Sequence, residues 1–122
     1  VTFHYRILPH GEYDVVDANR FGMEQSQPLV HVTAKNNPNI NPLVAVDNEM
    51  VYVTIVKSLA DRKETLIRLR SLSDKPELVN LSFPSGVPES IRLCLVSEEP
   101  GNKVDGPVSI QPFGMSTLRI KF

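Results

Sequence analysis

Apolar and polar residues alternate one for one along several short stretches of this chain, and that period confines it to half-buried β-strands. At the C-terminus Leu118, Ile120 and Phe122 alternate with Thr117, Arg119 and Lys121. Over residues 1–8, Phe3, Tyr5 and Ile7 alternate with Thr2, His4 and Arg6. Ile67 and Leu69 alternate with Arg68 and Arg70, and Val79, Leu81 and Phe83 alternate with Asn80 and Ser82. Ile91, Leu93 and Leu95 share one face, with Arg92 and Cys94 on the other. Successive side chains of a strand point to opposite faces, so each run offers one face to a core and one to solvent. Residues 51–56 are β-branched at nearly every position, which predicts a central strand covered on both faces. Residues 29–33 and 108–111 carry shorter strand signals.

Turn chemistry separates these runs. Residues 35–42 read Lys-Asn-Asn-Pro-Asn-Ile-Asn-Pro, where Pro38 and Pro42 supply no N–H donor, so an exposed mobile loop is expected. Residues 84–88 and 98–107 read as two further loops with Pro-Gly and Asp-Gly steps. Only residues 12–24 look helical, with Tyr13, Val16 and Phe21 as a short apolar stripe and Gly22 weakening the end. The expectation is an all-β, antiparallel β-sandwich with one short helix near the N-terminus, a single domain over residues 1–122. A chain of 122 residues is long enough for one core and too short for two.

The charge balance narrows the partners. Thirteen Lys and Arg against 14 Asp and Glu leave a formal net charge of -1, with no long-range field to hold nucleic acid. No apolar run approaches the roughly 20 residues that span a bilayer, so no membrane partner is expected, and no leader is visible. Val1 stands first, inside a strand pattern, so an excised or processed piece of a larger protein is expected and the compartment stays open. Cys94 is the single cysteine, and the fold is not a disulfide scaffold.

Spacing decides among the candidate sites. His4, His10 and His31, with Glu12, Asp14 and Asp17 nearby, lack the close ligand pairs of a zinc site. Asp17-Ala18-Asn19-Arg20-Phe21-Gly22 faintly resembles a calcium loop but places Phe21 where an oxygen ligand should follow. The acid pairs Asp14/Asp17 and Glu98/Glu99 sit on single short segments and form no cleft by themselves. Gly114-Met115-Ser116-Thr117-Leu118 lacks the second glycine of a nucleophile elbow, and Cys94 reads as an inert strand thiol. Lys57, Arg62, Lys63, Arg68 and Arg70 make a local basic run; Arg68 and Arg70 share a strand face, which suits a salt-bridged or interdomain surface. Asn80-Leu81-Ser82 matches a glycosylation acceptor but falls inside a strand pattern. Trp is absent, and Tyr5, Tyr13 and Tyr52 are explicable as core or strand residues, so the chain shows no evident aromatic platform for a sugar. No catalytic, cofactor-binding or metal residue is assigned.

Several segments, in order, resemble the C-terminal β-domain of glycoside hydrolase family 38. Phe3-His4-Tyr5-Arg6-Ile7-Leu8-Pro9-His10-Gly11 is similar to that family's aromatic-rich strand ending in Pro-His and then Gly. Gln27-Pro28-Leu29 stands where the family often has Asn-Pro-Leu after a short helix. Val53-Thr54-Ile55-Val56-Lys57 followed by Leu66-Ile67-Arg68-Leu69 resembles its strand, Lys, turn, Arg-Leu hairpin. Leu95-Val96-Ser97-Glu98 resembles the segment ending in Glu near the last loop. Gln111-Pro112-Phe113-Gly114-Met115-Ser116-Thr117-Leu118-Arg119-Ile120 resembles the terminal Pro-Phe-Glu-Ile-x-Thr-Leu-Arg element, with Gly114 in place of the acid. Residues 35–42 have no counterpart in it.

The resemblance implies a parent that is a zinc-dependent, retaining α-mannosidase, with its zinc ligands and aspartate nucleophile upstream. The segment itself would be a non-catalytic accessory domain without a cofactor, partnered by upstream domains of the same chain. A carbohydrate-binding module and a protein-interaction sandwich are the alternatives.

Overall fold

The computed structural model describes residues 1–27, 31, 33, 41–59, 64–95 and 97–122. The chain divides into two compact units, Val1–Asn39 and Ile40–Phe122.

Among the described residues of the first unit one helix, α1 (Val15–Ser26), is started by its cap. The Asp14 carboxylate accepts hydrogen bonds from the Val16 N–H at 2.7 Å and the Asp17 N–H at 3.0 Å, two donors the first turn leaves orphaned. The cap fixes the start three residues later than the apolar stripe suggested, and Gly22 lies inside the helix rather than near its end. Tyr13 falls outside the helix and is exposed, while Val16 and Phe21 are half-buried. The strand expected over residues 1–8 does not form: residues 1–10 have no strand structure, and Phe3, Tyr5 and Ile7 are exposed. Alternation makes a strand only where a neighbouring edge completes the ladder, and no described strand pairs with this segment.

The described residues of the second unit form an antiparallel β-sandwich of nine strands: β1 (Ala45–Val46), β2 (Val51–Leu59), β3 (Glu64–Ser71), β4 (Glu77–Val79), β5 (Leu81–Ser82), β6 (Ser90–Cys94), β7 (Pro100–Lys103), β8 (Val108–Ile110) and β9 (Met115–Lys121). One layer is a five-stranded sheet in the order β2-β3-β9-β6-β7; the other consists of the ladders β1-β5 and β4-β8. Register puts Ile67 opposite Leu118, and Leu118 opposite Leu93, on the inner face. There Val51, Ile67, Leu69, Leu118 and Ile120 pack against Val79, Val108 and Ile110 of the ladders, with Val46, Leu81 and Phe83 at the margin. Each fully buried aliphatic side chain contributes roughly 1.5–3 kcal/mol of transfer free energy. Phe122, also on the inner stripe, meets Phe83 edge-on with ring centroids 5.9 Å apart.

Two expectations about strand position are corrected. The β-branched run at residues 51–56 is not a central strand. It belongs to β2, an edge strand in which only Val51 is buried and Ile55 and Val56 are exposed. Its register shifts between Val53 and Ile55, and the Thr54 hydroxyl there donates to the Arg68 carbonyl at 3.1 Å. A bulge on an edge twists it away from further pairing, and branched side chains serve it as well as a covered strand. Likewise, the expected loop over 98–107 contains β7. Its proline opens the strand on the sheet edge, the position where a missing N–H costs least. Gly101 is needed there, since a Cβ would lie 2.8 Å from the Leu93 carbonyl oxygen.

The expected strand over Val79, Leu81 and Phe83 is broken at Asn80 into β4 and β5. Asp47 is the cause: its carboxylate accepts from the Asn80 N–H at 2.8 Å and from the Asn80 side-chain amide at 2.7 Å. Of the expected strand over 29–33 only His31 and Thr33 are described, and residues 35–40 of the expected loop lie outside the described residues. Asn41 and Pro42 are tied down, their carbonyls accepting from the Ser85 hydroxyl at 3.0 and 3.1 Å.

Candidate functional site

The outer face of the five-stranded sheet gathers most of the Lys and Arg residues of the second unit. One row, read by register across all five strands, is Lys57, Leu66, Arg119, Arg92, Lys103. The next runs Ile55, Arg68, Thr117, Cys94, and a third runs Tyr52, Arg70, Met115. Lys121 opposes Glu64 on the same face.

The middle of this face is covered by the connection between β6 and β7. Glu98, with φ at 63°, turns its carbonyl to accept from Arg119 Nη1 at 3.3 Å and its carboxylate to meet Lys57 Nζ at 3.2 Å. Lys57 and Arg119 flank Leu66 in the row, so Glu98 bridges over Leu66, which is only 1% exposed although it lies on the face away from the core. Arg119, expected to face solvent, is 7% exposed for the same reason and pairs with Glu64. The polar stripe of β9 is thus a second, smaller buried layer. A left-handed Glu98 was not foreseeable from residue type.

Four cations on or beside this face have carboxylate partners: Lys57 with Glu98, Arg119 with Glu64, Lys103 with Asp105 and Lys121 with Glu89. Arg68, Arg70 and Arg92 have none among the described residues. Arg68 Nε donates to the Thr117 hydroxyl at 3.1 Å. Beside the Arg68/Arg70 pair, Met115 is 65% exposed and Ile55 is exposed. The sequence singled out Arg68 and Arg70 as sharing a face; Arg62 and Lys63 of that basic run lie outside the described residues.

A second feature lies in the first unit. Leu8, His10, Glu12, Tyr13, Asp14, Asp17, Ala18 and Phe21 line an open cleft of about 260 Å³ beside α1. Tyr13 is 73% exposed. Asp14 is engaged as the helix cap, and Asp17 reaches Arg20 at 3.4 Å. His10, Glu12, Asp14 and Asp17, weighed as metal ligands, are brought to one cleft, and His4 is not among its lining. No group of three or more His, Cys, Asp or Glu among the described residues is arranged to hold a metal ion.

The remaining candidates resolve as ordinary structure. Burial is the main influence raising the Cys94 thiol pKa, with smaller opposing and reinforcing charges nearby, so it resists forming a thiolate. The Asn80 amide of the glycosylation acceptor is held by Asp47. Glu98 and Glu99 separate in role, since Glu98 bonds to Lys57 and Arg119. No described helix is long and apolar enough to cross a membrane. No protein-family model, curated protein or solved structure matches the chain.

Proposed function

We propose that this chain is a non-catalytic accessory β-sandwich domain of a glycoside hydrolase that resembles the family 38 α-mannosidases, whose parent would cleave α-mannosides. The observation that carries the reading is the placement of the resembling segments on the fold. Val53 to Lys57 and Leu66 to Leu69 fall on the two arms of the β2–β3 hairpin, and the Pro-Phe element forms the turn that feeds β9. The work assigned to the domain is architectural: one sheet face holds the core, and the other offers cations and apolar groups to a neighbour. The zinc implied by the resemblance would be bound upstream, and no residue of this chain is assigned to it. Purified protein assayed on aryl α-mannosides with added zinc is expected to give no turnover above blank; turnover that copurifies with the domain would overturn the reading.

Carbohydrate binding is the second reading, and the cleft beside Tyr13 is what favours it. An exposed ring flanked by carboxylates suits stacking on a sugar with hydroxyls donating to the acids. Titration with manno-oligosaccharides separates the two. Binding weaker than roughly millimolar, about -4 kcal/mol, supports the architectural reading, and micromolar binding abolished by Tyr13→Ala supports the module.

A further inference from the structure

We infer that the outer sheet face around Arg68, Arg70 and Met115 is a docking surface for a protein segment that presents carboxylates around an apolar centre. The inference deepens the accessory-domain reading and rests on it only for where the partner lies.

Three features of the face point the same way. First, its cations are of two kinds. Lys57, Arg119, Lys121 and Lys103 are neutralised by Glu98, Glu64, Glu89 and Asp105, whereas Arg92 and the pair Arg68 and Arg70, two residues apart on β3, meet no carboxylate among the described residues. As residues i and i+2 of one strand face, Arg68 and Arg70 have Cα atoms about 7 Å apart, a spacing that suits two carboxylates on a facing strand or helix, each bound through two N–H groups. Second, Thr117 accepts from Arg68 Nε at 3.1 Å, which orients that side chain and lowers the ordering cost of binding. Third, the immediate neighbours are apolar: Ile55 opposite Arg68, and Tyr52 and Met115 on either side of Arg70. Arginine, tyrosine and methionine around a desolvated centre are the residues that interface centres favour. A phosphate polymer would use the arginines but gain nothing from Met115 and Ile55, and a net charge of -1 gives it no attracting field. A protein surface uses both.

The test is site-specific photo-cross-linking in the full chain as its own cells make it, with a benzophenone side chain at Met115. A control carries it at Leu78, which is equally exposed but lies on β4, in the other layer. The expected result is one dominant cross-linked peptide from position 115, rich in Asp and Glu, absent from position 78. Its yield should fall about tenfold or more in Arg70→Glu. Arg92→Glu, also on this face, should lower it less, and an unchanged thermal melt certifies that both variants are folded. If the captured peptide lies upstream in the same chain, both the docking surface and the accessory-domain reading stand. If it lies in a separate acidic protein, the docking surface stands and the accessory-domain reading falls. Equal cross-linking at 78 and 115, a yield indifferent to Arg70→Glu, or capture of nucleic acid or a second copy would overturn the docking surface.

Discussion

Arg119 Nε lies 2.5 Å from Glu64 Oε2, but off the line of its N–H bond, so the pair attract as ions without completing a hydrogen bond. The contact is diagonal across β3 and β9, because Glu64 opposes Lys121 and Arg119 opposes Leu66 in register. The side chains are 7% and 23% exposed, and removing one strands the other's charge in a poorly solvated layer. Arg119→Ala should therefore cost about 2–4 kcal/mol, below the fully buried range because water still reaches Glu64. The double variant Arg119→Met/Glu64→Leu should recover most of that loss. Urea unfolding of the parent, Arg119→Met, Glu64→Leu and the double variant measures the coupling. A loss under about 0.5 kcal/mol for Arg119→Ala would mean the layer is open to solvent.

Acid should weaken the sandwich through two carboxyls. Asp47 is held below its ordinary value, chiefly by the Asn80 side-chain amide and then by the Asn80 N–H. Glu77 is held low by the Ser73 hydroxyl first and the Asn48 amide second. A carboxyl lowered in the folded state stabilises the fold while it is ionised in both states. That contribution fades as pH falls past the ordinary values of 3.8 and 4.5 and is gone below the folded ones. The urea midpoint should then fall more steeply below pH 3.8 in the parent chain than in Asp47→Asn, while the Glu77 contribution is common to both. Matching pH profiles would show that Asp47 titrates alike in both states.

The turn into β9 makes a prediction at Gly114. Gly114 N–H donates to the Gln111 carbonyl at 2.8 Å, and the Phe113 N–H to the Ser73 carbonyl at 2.9 Å, with Phe113 at φ 51°. A Cβ on Gly114 would stand 2.8 Å from that Gln111 oxygen, against backbone that cannot swing aside. Gly114→Glu should therefore destabilise by about 1–3 kcal/mol. Phe113→Gly removes a left-handed aromatic and should be neutral or stabilising by up to about 1 kcal/mol. Thermal melts of both decide it, and a neutral Gly114→Glu would show that the turn relaxes freely.

The sequence made the sandwich legible because its strongest signal, period-two alternation, reports the face that a strand buries. Ile67, Leu69, Leu118 and Ile120 were all readable as core in that way. Alternation does not report a strand's neighbours. Residues 51–56 therefore looked central while lying on an edge, and residues 1–8 looked paired while lying exposed. The helix was visible in its stripe, but its first residue was set by the Asp14 side chain. The outer face was half legible: Arg68 and Arg70 share a side by simple alternation. The cover over Leu66 and Arg119 depends on the left-handed Glu98 and its reach across three strands, a long-range geometry with no local signature.

The closing strand β9 should be required for folding. It lies between β3 and β6, pairing seven residues with the first and five with the second, so it is the seam of the five-stranded sheet. Leu118 and Ile120 are wholly buried against both layers, and no terminal fraying is available to a strand paired on both sides. Leu118→Ala should cost about 2–5 kcal/mol, transfer and cavity together. A domain of this size has only about 5–15 kcal/mol of stability, so deleting β9 should unfold it outright. Lys121→Ala is the contrast. Its ammonium reaches Glu89 at 2.6 Å, but both side chains are about half exposed, and such a pair should change stability by no more than about 0.5 kcal/mol. Urea unfolding of the three variants separates the cases. A Leu118→Ala midpoint as close to the parent's as that of Lys121→Ala would mean that β9 is not the seam its pairing makes it.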